Sequence, residues 1–311
     1  MMALNYSDVY LTPNYSELKS RAEADTSVTI KDFTFKLPII PANMKSVIDL
    51  STYHKYFLSG VIPIMHRFNV DNAQFLKGCQ CDWKAISVGV KEKDVTELYE
   101  LRHFYNLQPT CVCIDIAHGH SLMMKNMIGK VLEIFPNTIV IAGNVTTPDA
   151  VIDLQNWGAS MIKVGIGPGQ VCSTKNKTGF HVPMFTAIMQ CAEVAKVPII
   201  ADGGIKENGD IVKALVAGAD FVMVGGMLAA CSDSPAEIID GKKEYYGSAS
   251  ERNKGHNKNV EGFTAHLTPT NTIQTKLSEI RMDLQSAISY AGGKDLFCLN
   301  LSNVKYTTYK R

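Results

Sequence analysis

Short runs of Val, Ile, Leu and Met recur along the chain at residues 37–41, 61–65, 86–90, 111–115, 138–142, 161–165, 197–201 and 221–225, each followed by a longer, more polar segment. The runs are continuous rather than alternating, the pattern of strands buried on both faces, and their alternation with helical segments marks a parallel sheet. Eight such units in 311 residues predict an α/β fold, a closed (β/α)8 TIM barrel, an architecture typically of ~250 residues. Polar or glycine positions close most runs: Asn43, His66, Asp115, Asn144, Gly167, Asp202 and Gly225. In a barrel such positions gather at the C-terminal mouth, where substrates bind. Pro38, Pro63 and Pro198 fall near the starts of runs, where a missing amide is tolerated.

The intervening segments read as ordinary helices. Thr147 is a good N-cap, Pro148 suits the first helical position, and Val151, Leu154 and Trp157 can face the sheet. Past the eighth run the character changes. Residues 240–262 are polar, dotted with glycine and basic, with Lys242, Lys243, Arg252, Lys254 and Lys258. They predict a long flap at the barrel mouth. A helix is expected over about 272–290, ended by Ala291-Gly292-Gly293. No low-complexity tract or linker divides the chain, so residues 1–311 are expected to form one domain.

With 46% hydrophobic and 20% charged residues the chain can bury a large core. A net charge of +1 gives no electrostatic reason to expect nucleic acid or a membrane surface as partner. The first residues lack a basic segment followed by an apolar run, and no stretch reaches the ~18 apolar residues of a membrane helix. A cytoplasmic protein is therefore expected. Eight irregularly spaced cysteines suit reduced thiols better than a disulfide scaffold. Cys79-Gln80-Cys81 and Cys111-Val112-Cys113 each have one intervening residue, where a zinc knuckle has at least two.

The stretch Lys163-Val164-Gly165-Ile166-Gly167-Pro168-Gly169-Gln170-Val171-Cys172-Ser173-Thr174 carries the candidate chemistry. Three glycines and a proline within five residues cannot extend a strand or begin an ordinary helix, so the backbone turns sharply and leaves amides and carbonyls free for a ligand. A thiol at the end of that turn, beside two hydroxyl residues, reads as a nucleophile with proton-relay groups. A core cysteine after a tight turn is the plainer alternative. Gly203-Gly204 beside Asp202, and Gly225-Gly226, follow the seventh and eighth runs, a recurrent phosphate site in barrels. After the fourth run, Asp115 can line the mouth while Ser121 caps the next helix. His118 and His120 lie nearby, without an obvious complete ligand set.

These motifs, with Lys19-Ser20-Arg21, Pro41-Ala42-Asn43-Met44, Gly247 to Glu251, Asn259-Val260-Glu261-Gly262 and Asp283 to Gly293, resemble the IMP dehydrogenase and GMP reductase family along nearly the whole chain, and within it the bacterial reductase branch. The resemblance implies reductive deamination of GMP to IMP with NADPH. Cys172 would attack the purine C2, with Thr174 and Glu261 handling the proton that leaves with ammonia. Asp202 would hold the ribose and Gly203, Gly204, Gly225 and Gly226 the phosphate, with Gly247, Ser248 and Ala249 along the nucleotide. Asp115, Ile116, Ala117, Ile166 and Gly167 would border the nicotinamide, with Ser20, Arg21 and Ser286 reaching the cofactor across a subunit contact. Carbonyls of Gly167, Gly169 and Cys172 match positions that bind a monovalent cation, K+, and the family implies a homotetramer. Gln170 stands where many members carry a phosphate-facing serine. Lys258-Asn259-Val260 replaces the Arg, Ala and Ser of animal reductases, so those side-chain contacts do not transfer. The rivals are a dehydrogenase lacking its regulatory module, for which residues 67–85 leave no room, and a nucleotide sensor without chemistry.

Overall fold

The computed structural model describes residues 3–254 and 260–309. Lys258 and Asn259 lie outside the described residues, as does the side chain of Lys254.

Seven of the eight apolar runs form one parallel sheet. In spatial order its strands are Ile39–Pro41, Phe221–Val224, Ile199–Asp202, Met161–Val164, Ile139–Val145, Cys111–Asp115 and Ala85–Val88. Their side chains are almost wholly buried, as continuous apolar runs require. Helices alternate with the strands and cover the sheet. The example segment is a helix over Pro148–Asn156, capped by the Thr147 side chain, with Val151 and Leu154 buried. Ser121 likewise caps Leu122–Ile134.

The second run, residues 61–65, departs from expectation. It lies in the gap between the first and last strands, but it forms no ladder. The Ile62 amide donates to Ile39 on one side, and the Met65 amide donates to Ala85 on the other. Between them Pro63 has no amide to give, and its carbonyl takes the Trp83 indole N–H at 2.9 Å. Those single bonds complete the circle, so the run serves as a barrel stave without being a regular strand.

Additional pieces close the two ends. A hairpin of Val28–Ile30 and Phe33–Phe35 sets Phe33 and Phe35 edge-on to the buried Trp83, each at 5.3 Å. Near the termini, Val9–Leu11 pairs antiparallel with Tyr306–Thr308. The helix expected near the C-terminus spans Ile273–Tyr290, capped by Thr272 and followed by Gly292 at φ +78°.

The flap is more structured than its composition suggests. Ile238–Ile239, Lys242–Tyr246 and Thr264–Leu267 form an antiparallel three-stranded sheet. Lys243, one of the basic residues of the expected flap, is 2% exposed. Its ammonium donates to the carbonyls of Ser234 and Ala236 at 2.9 and 3.1 Å. Arg252 pairs with Glu237 and Glu244 and lies over the Tyr246 ring. Among the described residues, no helix is long and apolar enough to cross a membrane.

Candidate active site

The strand Met161–Val164 delivers the glycine loop to the barrel mouth. Gly165, at φ +149°, has no room for a side chain, because an added Cβ would collide with the Asp202 carbonyl. Gly167 is also left-handed at φ +77°. The Cys172 amide then donates to the Gly169 carbonyl at 3.1 Å, turning the thiol to the end of the loop. Cys172 is partly exposed, unlike the fully enclosed Cys111, Cys113 and Cys191.

At the thiol the structure assembles a relay. The Cys172 S–H donates to Thr174 Oγ1 at 3.2 Å, and the Thr174 hydroxyl donates to Glu261 Oε2 at 2.5 Å. Thr174 and Glu261 are 87 positions apart in sequence. They meet because flap and loop are joined through main-chain bonds: Ser173 N–H to Glu261 O, Phe263 N–H to Val171 O, and a bridge between Cys172 and Gly262. The Lys177 ammonium adds a bond to the Val260 carbonyl. Gly247 packs against Val171 and Gly262, and the Glu261 amide donates to Ala249. Thus Gly247, Ser248 and Ala249 are drawn to the cysteine loop.

The two glycine pairs flank the same loop. A Cβ on Gly203 would press against Pro168, and one on Gly226 would lie 2.8 Å from the Gln170 side-chain amide. Gln170 therefore reaches toward the second pair. Tyr245, which sequence reasoning did not select, is buried against Gly225 and donates from its hydroxyl to Met44 Sδ at 3.6 Å. Its signal was an aromatic residue just before the Gly247 turn.

Sequence reasoning also missed Lys163, concealed within an apolar run. It is 1% exposed, and its ammonium donates to Asp115 Oδ1 at 2.6 Å and Asp202 Oδ2 at 3.0 Å. Asp115, Gly143 and Lys163 are successive register partners across three strands. In-register side chains share a face, and Gly143 has no side chain there to obstruct the lysine. Asn144 Nδ2 adds a bond to Asp202 Oδ2 at 2.8 Å. A lone lysine inside a buried strand was the available sequence signal, since such a charge requires partners.

Burial alone would raise the Asp115 pKa, but Lys163, with help from Arg67 and Asn43, holds its carboxyl below the usual value. Burial likewise opposes the Lys163 charge, yet Asp115 and Asp202 hold the ammonium well above the ordinary lysine range. His66, also at the mouth, is pushed down to about 4 by burial and then by Lys45. Its Nδ1 accepts the Phe68 amide at 3.2 Å. Because the folded-state value lies below the ordinary 6.5, the contribution of neutral His66 to stability is present above that value and declines as pH falls toward about 4. NMR titration of the imidazole should give a midpoint near 4 in the folded protein; a midpoint near 6.5 would contradict the burial account.

Asp115, Ile116 and Ala117 continue from their strand into a loop tied to the Gly143 and Asn144 backbone. Ile166 O accepts from His181 Nδ1 at 2.8 Å. The two nearby histidines do not form a metal set: His118 is exposed, whereas His120 pairs with Asp153 at 2.8 Å. Ser20, Arg21 and Ser286 form a separate cluster. Ser20 caps the turn Arg21–Glu23, and Arg21 donates to Ser286 and Tyr290 at 3.3 and 3.0 Å. Ser286 and Tyr290 also line a cavity of about 470 Å³ that contains none of the cysteine-loop residues.

A family model described as the IMP dehydrogenase / GMP reductase domain matches residues 82–309. A protein named GMP reductase from Albidiferax ferrireducens is 46% identical, over 99% of this chain and 96% of its own length. Another from Staphylococcus carnosus is 47% identical, over 95% of this chain and 94% of its own. A third, from Lactococcus lactis subsp. cremoris, is 46% identical, with coverages of 98% and 95%. Together with the barrel and its mouth, these full-length matches establish that the chain belongs to the IMP dehydrogenase and GMP reductase family.

Proposed function

We propose that this chain is a GMP reductase, converting GMP, NADPH and a proton to IMP, ammonia and NADP+. The observation that carries this reading is the thiol-to-hydroxyl-to-carboxylate relay of Cys172, Thr174 and Glu261. Glu261 receives the thiol proton through Thr174, and the Cys172 sulfur adds to C2 of the purine. Returning through Thr174, the proton leaves with the amino group as ammonia. When bound, NADPH supplies a hydride to C2. Cys172 is then expelled as thiolate, restoring the purine double bond in IMP.

Two buried acceptors support a polar ligand at this mouth. Asn144 Oδ1 and Ser173 Oγ have no protein partner among the described residues. Asn144 bonds the Ile116 backbone, so its free oxygen suits the amide donor of a nicotinamide bordered by Asp115, Ile116, Ala117, Ile166 and Gly167. The Arg21 and Ser286 cluster supplies cationic and hydroxyl donors suited to the cofactor's phosphate-bearing end. Asp202 and the paired glycines are assigned to the ribose and phosphate of GMP. Among the described residues, the carbonyls of Gly167 and Cys172 accept no backbone hydrogen bond, which suits a K+ ion. Gly169 would join them from the same turn. A cytoplasmic homotetramer of single-domain subunits completes the reading.

The flap favours reduction over dehydrogenation. Residues 247–261 contain no tyrosine, while the carboxylates holding Arg252 leave it poorly suited to activate water. Incubation with GMP and NADPH should yield IMP and ammonia in equal amounts, whereas IMP with NADP+ should yield little XMP. Sustained XMP formation matching the GMP rate would reassign the chain to the dehydrogenase branch; tight GMP binding without turnover would favour a sensor.

A further inference from the structure

The cysteine pair at residues 79 and 81 lacks zinc-knuckle spacing, but the fold supplies a third donor. His54 lies on the helix Leu50–Leu58, facing the loop between the helix Asn72–Gly78 and the strand Ala85–Val88. The ligand atoms of His54, Cys79 and Cys81 all lie within 4.8 Å of one another. We propose that these residues form a binding site for a soft monovalent cation, Cu(I), held by two thiolates and one imidazole.

The histidine already has the required orientation. Its Nδ1 faces the Leu50 carbonyl at 3.0 Å, which places the proton on that nitrogen and leaves the Nε2 lone pair toward the cysteine loop. At present Nε2 accepts only a long bond, 3.3 Å, from the Gln80 amide. Metal–ligand bonds of about 2.0–2.3 Å place the donors of a trigonal site roughly 4 Å apart. The cluster therefore needs to contract by less than about 1 Å from its present limit.

Coordination number distinguishes the ions. Among the described residues, no fourth His, Cys, Asp or Glu joins the group. The neighbouring Tyr53 hydroxyl is already used, donating to Trp83 O and accepting from Ala85 N. Three donors including two sulfurs suit Cu(I), whereas structural zinc takes four protein ligands. Cys79 and Cys81 are 3% and 6% exposed. Metal ligation requires the sulfurs as thiolates, so binding is coupled to proton release. Lys84 offsets part of the resulting negative charge. The loop leads into a barrel strand, placing the cluster at the end opposite the mouth and separating it from Cys172.

The test is anaerobic titration of the reduced full-length protein with Cu(I), in competition with bicinchoninate. One tight equivalent is expected, with X-ray absorption showing a three-coordinate copper bearing two sulfurs and one nitrogen. Its affinity should fall by about 100-fold or more in Cys79→Ser/Cys81→Ser and about 10-fold or more in His54→Gln, with thermal unfolding confirming that the variants fold. Unchanged affinity in the double variant, a sulfur-only signature in the wild-type protein, or stronger retention of Zn2+ than Cu(I) in direct exchange would each overturn the proposal. The X-ray absorption measurement requires no variant and decides the ligand set even if the substitutions unfold the chain.

Discussion

Replacing Cys172 with alanine is expected to lower GMP turnover by at least about 10⁴-fold, since in the proposed mechanism loss of the nucleophile removes the covalent route. GMP binding should change little because the glycine pairs, Asp202 and the flap remain. Steady-state kinetics with NADPH, together with calorimetry of GMP binding, separate these effects. Comparable turnover in Cys172→Ala would remove the sulfur from the mechanism. Loss of binding and turnover together would instead assign Cys172 to building the pocket.

A second large effect is expected at Lys163. Lys163→Met preserves most of the side-chain volume but leaves Asp115 and Asp202 facing one another at 16% and 20% side-chain exposure. Removing one partner from a buried ionic group typically costs about 3–5 kcal/mol, a large part of ordinary domain stability. The pH dependence should reverse in sign. In the native protein the Asp115 pKa lies below the ordinary 3.8; its stabilising contribution is present above that value and is lost as pH falls through the lowered one. Without Lys163, burial raises the Asp115 pKa, so the variant should gain stability relative to wild type on acidification. Urea unfolding across the acidic range measures both effects, and Asp115→Asn in the variant background should recover part of the loss. A variant as stable as wild type, with the same pH slope, would contradict the account of Lys163 as the ion that holds the mouth together.

The barrel was legible because each stave is an apolar run bounded by polar or glycine residues, a pattern imposed locally by burial on both faces. The cysteine loop was equally conspicuous, since three glycines and a proline in five residues leave little choice but a turn. Other features depended on contacts distant in sequence. Residues 61–65 have the hydrophobicity of a strand, but Pro63 and the Trp83 indole decide its hydrogen bonding. Lys163 was passed over within an apolar run because its partners lie 48 and 39 residues away. Composition showed Lys243 only as one basic residue of the flap, and the two carbonyls folded around its ammonium are not visible in it. His54 could not be joined to Cys79 and Cys81 until a helix and a loop were placed side by side.

The main-chain ladder between residues 171–173 and 261–263 also makes the readiness of the sulfur conditional. Glu261 is carried by the flap, while Cys172 and Thr174 belong to the barrel loop. Were the ladder to part, the thiol would keep its hydroxyl neighbour but lose the carboxylate proposed to receive its proton. On the proposed mechanism, activation of the sulfur would therefore depend on the flap segment being joined to the loop, and a thiol without that carboxylate would be less prone to react with passing electrophiles or oxidants.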